Sequence, residues 1–212
     1  NKKEISRYSV LVLDVSGTAR FESNGNTIYT ADSSIDYVKK SANSFLSDLI
    51  NAEGNNYVAI VAFSETASIV LDFTDNISEV IRSVNTLTSI DDVRDINAGL
   101  SAANRLLKNV DSSAVKNTIL VTTGMTNEGE YTYDGHYSEE TVGSNWRRMD
   151  TQIRLYAYAN AAYEMAESLK KLSTLHVLGL FQTMENMREK GREVAEFFRL
   201  TAFDLATSEN TF

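Results

Sequence analysis

The 212-residue chain has no cysteine and no proline. Without thiols there is no disulfide staple, no thiolate zinc site and no cysteine nucleophile. Usage of about 5% proline would place roughly ten in such a chain, so their absence stands out. Long apolar runs are missing too: none approaches the ~18 residues a membrane-spanning helix needs. The chain opens Asn1-Lys2-Lys3, without an initiator Met or an apolar signal core. That start fits a processed or excised piece from which any targeting segment has been removed. Basic residues are in deficit, 20 Lys plus Arg against 29 Asp plus Glu, for a net charge of −9. An acidic surface argues against a nucleic-acid partner held through its phosphates. There is no Gly-x-Ser-x-Gly elbow, phosphate loop or dinucleotide fingerprint. Only two histidines occur, His136 in a polar stretch and His176 inside an apolar run. Neither has a helical partner four residues away, and both read as surface or core residues rather than ligands.

What is present is globular: 42% hydrophobic and 23% charged residues, a balance that buries a core. The length suits one domain spanning residues 1–212. Tyr8–Asp14, Tyr57–Phe63, Thr118–Thr122 and Leu175–Phe181 are continuous apolar, β-branched runs, the mark of strands buried on both faces. Ala67–Phe73 follows the second of these after only three residues. So short a link admits a hairpin but no crossover, and predicts an antiparallel pair. Helical spacing runs from Asp32 to Ala52 through Ile35, Val38, Ala42, Phe45 and Leu49, with Asp32 or Ser33 as the expected cap. It recurs in Ile77–Val84, Ile96–Leu107, Leu155–Leu169 and Met187–Phe198. Tyr156, Tyr158 and Tyr163 fall on one of these helices and read as core packing. The alternation predicts an α/β fold: a doubly wound, mostly parallel sheet with one antiparallel edge strand and helices on both faces.

Such sheets place ligands beyond the carboxyl ends of their strands. The loop after the first strand reads Asp14-Val15-Ser16-Gly17-Thr18, one carboxylate and two hydroxyls turning at a glycine. Oxygen-rich concavities of this kind suit hard cations, although Asp and Ser also serve simply to satisfy a turn. Asp14-x-Ser16-x-Thr18 resembles the first loop of the metal-ion-dependent adhesion site of von Willebrand factor type A domains. Asn56–Glu65 with Ala67–Thr74 is similar to that family's second strand and antiparallel edge. Asp95–Ala103, Thr118–Gly129, His176–Gln182 and Ala206–Asn210 resemble later segments in the same order. The resemblance implies a Rossmann-like fold and, in intact relatives, a bound Mg²⁺ or Ca²⁺ whose coordination an acidic group of the partner completes. It carries Asp14, Ser16 and Thr18 over as metal ligands.

Two expected ligands are replaced. The family's Thr before the Asn-Ile pair is Arg94 here, and its Asp before the glycine is Thr123. A guanidinium repels a cation, and the lost carboxylate removes half the local negative charge, so the expectation is a degenerate metal-ion-dependent adhesion site. Two alternatives stay open. Arg94 pairs with Asp14 in place of a metal, or Asp91, Asp92 and Asp95 restore a cation site. Asp14-Val-Ser-Gly-Thr18 is also similar to the Asp-x-Asp-Gly-Thr loop of haloacid-dehalogenase-type phosphohydrolases, in which Asp14 would be the nucleophile. That reading lacks its second acid, replaced by Ser16, and the late acidic pair that holds Mg²⁺.

The segment 125–150 is polar, aromatic-rich and far longer than the usual connection of about 4–6 residues. It brings Tyr131, Tyr133, Tyr137, Trp146, Arg147 and Arg148 to the same end of the sheet as Asp14. Such residues dominate interface hot spots, and Tyr131, Tyr133, Tyr137, Trp146 and Arg147 are the expected partner-binding set. The expectation is a non-enzymatic adhesion module of a larger exported, bacterial surface protein. Its partner is a protein or other extracellular macromolecule, beside other domains of its own chain. The competing expectation is a structural spacer without a ligand.

Overall fold

A computed structural model describes residues 5–21, 27–90, 93–142, 152–180 and 189–211. The described residues form seven strands and six helices. The strands are β1 (Ser6–Asp14), β2 (Thr18–Phe21), β3 (Thr27–Thr30), β4 (Asn55–Phe63), β5 (Ala67–Thr74), β6 (Val115–Thr122) and β7 (Thr174–Gly179). The helices are α1 (Ala31–Ile50), α2 (Ile77–Asn85), α3 (Ile96–Lys108), α4 (Glu139–Val142), α5 (Leu155–Lys170) and α6 (Glu189–Leu205).

The main sheet runs β5-β4-β1-β6-β7, with β1 at its centre. β1 pairs in parallel with β4 and β6, β6 with β7, and only β4–β5 is antiparallel. Buried on both faces, the central strand sends alternate side chains into two cores. Leu11, Leu13 and Val15 pack with Ile60, Ile119 and the apolar stripes of α1 and α2. Val10 and Val12 pack with Val61, Phe63, Leu120 and the inner faces of α3, α5 and α6. Gly99 lets α3 lie close on this second face, because a Cβ there would stand 2.9 Å from a ring carbon of Phe63.

Several boundaries move relative to the sequence expectation. The helix expected to be capped at Asp32 or Ser33 already begins at Ala31, so both residues lie in its first turn. The polar stretch after Gly17 carries two short antiparallel strands, β2 and β3, in which too few apolar residues recur to announce a strand. The last long helix continues past Phe198 to Leu205, while its expected start at Met187, like Phe181 of the last strand, lies outside the described residues. Segment 125–150 has one helical turn, α4; its residues 143–150 also lie outside. Among the described residues no helix is long and apolar enough to cross a membrane.

Candidate functional site

Three connections meet beyond the carboxyl end of β1, and Asp14 stands at their centre, 0% exposed. The turn after it folds back so that the Ser16 N–H and hydroxyl both donate to Asp14 Oδ1, the amide at 2.9 Å. Oδ2 faces the end of β6. There it accepts from the Thr123 N–H at 2.8 Å, the Thr123 hydroxyl at 3.0 Å and the Thr122 hydroxyl at 3.2 Å. The remaining donor comes from 80 residues away: Arg94 Nε lies 3.1 Å from Oδ2. Arg94 Nη2 reaches the Gly17 carbonyl at 3.4 Å, so one side chain ties the β1 loop to the segment before α3. Gly124 makes room for it, since a Cβ there would come within 2.6 Å of Nη1.

The backbone of Arg94 is held as firmly as its head. Its N–H donates to Asn127 Oδ1 at 2.8 Å, and its carbonyl accepts from the amides of Asn127 and Glu128 and from the Thr126 hydroxyl. Asp95 caps α3 by accepting from the Ala98 N–H at 2.9 Å. It is buried beside Glu130, and burial first, then that neighbouring charge, pushes its carboxyl up to about 6. Gly129, at φ +94°, lets the loop pass Asp95 where no side chain fits.

The loop over residues 130–138 is moored by one buried amide. Asn160, in the middle of α5, accepts from the Tyr137 N–H at 2.7 Å and donates to the carbonyls of Tyr137 and Thr132, each at 3.0 Å. Tyr137 is therefore core, contrary to its expected place in a partner-binding set. It is 3% exposed and its hydroxyl donates to Asp204 Oδ2 at 2.7 Å. Burial, reinforced by that carboxylate, holds the phenol far above its ordinary range. His136 stacks on Tyr163 at 4.1 Å and lies 3.6 Å from Asp204, packing the loop against α5 and α6. His176 sits half-buried in β7, where desolvation lowers its pKa. Tyr131 and Tyr133, by contrast, are 50% and 47% exposed.

Residues 9–127, more than half of the chain, match the von Willebrand factor type A domain. The chain belongs to that family. Its VWA fold is shared with three bacterial pilus proteins of known structure. The PilB minor pilin from Streptococcus sanguinis aligns at TM-score 0.65 and 17% identity, over 97% of this chain and 55% of that one. The vWF domain of the type V pili tip protein Mfa5 from Porphyromonas gingivalis aligns at 0.65 and 16%, over 99% and 89%. The pilus adhesin SpaC from Lactobacillus rhamnosus GG aligns at 0.65 and 16%, over 100% and 28%. The chain thus spans about half of the PilB chain and little more than a quarter of SpaC. No curated protein matches it in sequence.

Within this VWA domain Asp14 and Ser16 are the members of the expected metal set whose side chains are described. Asp14 and Ser16 are in contact, whereas the backbone of Thr18 opens β2 and pairs with Thr30, its side chain being outside the described residues. Asp91, Asp92, Trp146, Arg147 and Arg148 are also outside them. Asp95 points its carboxylate at α3 rather than at Asp14. Sequence reasoning missed Asn160, although one amide among the alanines of Ala157-Tyr-Ala-Asn-Ala-Ala162 was a visible signal. It also missed the Thr122 hydroxyl as an Asp14 partner.

Proposed function

We propose that this VWA domain is a non-enzymatic binding module of a larger, exported surface protein. It recognises a macromolecular partner at the face beyond the strand carboxyl ends, and it does so without a divalent cation. The observation that carries this reading is Arg94 seated on Asp14 at 3.1 Å. A divalent ion needs converging lone pairs, with carboxylates foremost. Here the lone pairs of Asp14 receive N–H and O–H donors on both oxygens, and the place of a second carboxylate is taken by Thr123. The donor set does not fit Mg²⁺ or Ca²⁺. Arg94 supplies a tethered positive charge that joins the three loops, as a guanidinium paired with a carboxylate does well.

The same saturation argues against catalysis. A buried Asp14 with both oxygens hydrogen-bonded is a poor nucleophile, and Ser16 binds it where a phosphohydrolase would hold a second acid. The surface assignment is supported by the shared fold of pilus proteins. The test is thermal unfolding with EDTA and with millimolar Mg²⁺ or Ca²⁺. A ligand at a hundred times its Kd raises stability by about 2.7 kcal/mol, whereas this domain should show no shift. A cation-dependent rise in Tm that Asp14→Ala abolishes would refute the cation-free reading.

A further inference from the structure

Residues 128–134 read Glu-Gly-Glu-Tyr-Thr-Tyr-Asp, two tyrosines set among three carboxylates. The segment is not loose. Thr132 is stitched to α5 by its N–H on the Ala157 carbonyl at 3.1 Å and by Asn160 on its own carbonyl at 3.0 Å. Its hydroxyl closes a local turn onto the Asp134 carbonyl at 3.0 Å. With Thr132 held inward, its two neighbours stay at the surface about half exposed. Their rings meet edge to face, 5.9 Å apart. Each also rests on a tyrosine of α5, Tyr131 on Tyr158 at 5.9 Å and Tyr133 on Tyr156 at 5.8 Å. The result is a pair of exposed rings already locked in place, which little ordering entropy opposes on binding.

Among the described residues the charges near the rings are mainly acidic. Glu130 and Asp134 are exposed and bracket the pair along the chain, Glu130 also accepting from Asn97 Nδ2 at 3.5 Å, and the charges of Glu139 and Asp134 are felt at Tyr156 beneath the rings. The basic group felt there, Arg154, is already paired with Glu139 at 2.9 Å. Ring faces are negative by their quadrupole and attract cations, more so with carboxylates beside them.

We propose that the Tyr131–Tyr133 pair is a docking site for lysine and arginine side chains of an extended segment of the partner protein, with Glu130 and Asp134 flanking the bound cation. This rests on the reading of the domain as a binding module and names the chemistry of what it binds. The probe is a fluorescein-labelled peptide of four arginines spaced by Gly-Ser, with a glutamine-for-arginine peptide as control, followed by anisotropy at 150 mM salt. The arginine peptide should bind and the glutamine peptide should not. Tyr131→Leu with Tyr133→Leu keeps every charge and should weaken binding by about 5–30-fold, as expected for two cation–π contacts, with the Tm retained. Glu130→Gln with Asp134→Asn should weaken it comparably, whereas Asp48→Asn, on the exposed face of α1, should not. Arginine-peptide binding that survives loss of both rings is attraction to net charge alone and overturns the proposal. So does failure of the peptide to bind. Glycan- or protein-array capture that needs the two tyrosines but ignores the arginine peptide overturns the cation assignment and leaves the binding-module reading standing. Array capture by neither form counts against that broader reading.

Discussion

Arg94→Met removes the guanidinium while keeping most of the buried stem. Breaking one side of a buried ion pair costs about 3–5 kcal/mol, chiefly because the remaining charge is left uncompensated. Asp14 is completely buried and the Arg94 side chain is only 10% exposed, so solvent screens the pair little. Five donors would nevertheless remain on the carboxylate, the amides and hydroxyls of Ser16 and Thr123 and the hydroxyl of Thr122. That places the expected loss at the lower end, ~3 kcal/mol. In a domain of this size each kcal/mol shifts the Tm by about 2–4 °C, so the transition should fall by roughly 6–12 °C. Asp14→Asn alone should also destabilise, by stranding Arg94. Combined with Arg94→Met it should cost clearly less than the sum, because the second change removes an orphaned partner. Urea unfolding followed by circular dichroism, at constant m-value, measures all four corners of the cycle. A loss below ~1 kcal/mol for Arg94→Met, or strict additivity in the double variant, would show that the pair does not hold the loops together.

Restoring the family pattern with Arg94→Thr and Thr123→Asp should create a Mg²⁺-dependent rise in Tm that the parent lacks, read by scanning calorimetry with and without EDTA. Asn160→Ala strands the Tyr137 amide and the carbonyls of Thr132 and Tyr137, and should cost about 2–4 kcal/mol with faster amide exchange in residues 131–138. Gly129→Ala places a Cβ 2.0 Å from Asp95 Oδ2 at φ +94°, so a loss of at least ~1 kcal/mol is expected on chemical denaturation. Asp95 supplies a pH dependence of definite sign. Its carboxyl lies at about 6 in the fold against an ordinary 3.8, so the folded state holds the proton more tightly. Stability should therefore rise as pH falls from 6 toward 4, by at most ~3 kcal/mol from this residue. Asp95→Asn, which still caps the helix, should remove that slope.

The parts of the fold readable in one dimension are those set by local periodicity and chain length. Val10–Leu13 and Val58–Phe63 are apolar on both faces, and strands of that kind need helices on either side. The three-residue link Ser64–Thr66 leaves no option but an antiparallel edge. Asp14 at the end of the first such strand marked the end of the sheet where the three connections meet, and the replacements at Arg94 and Thr123 were visible as departures from the family pattern. The β2–β3 pair was not legible, because four-residue strands with few apolar side chains carry no periodic signal.

Only the packed structure decided which side chains meet. Arg94 could have turned to solvent or to the neighbouring acids. The Asn127 side chain and the Asn127 and Glu128 amides fix its backbone, and Gly124 leaves room for its head against Asp14. Three tyrosines within seven residues look alike in the sequence, yet Tyr137 is drawn inward by Asp204 and Asn160 while Tyr131 and Tyr133 stay outside. The sequence by itself determined the layers and the order of the strands' apolar runs, since hydrophobic periodicity acts between near neighbours. Tertiary structure decided the chemistry beyond the carboxyl end of β1, because a buried carboxylate takes whichever donors the fold brings to it, here from 80 residues away.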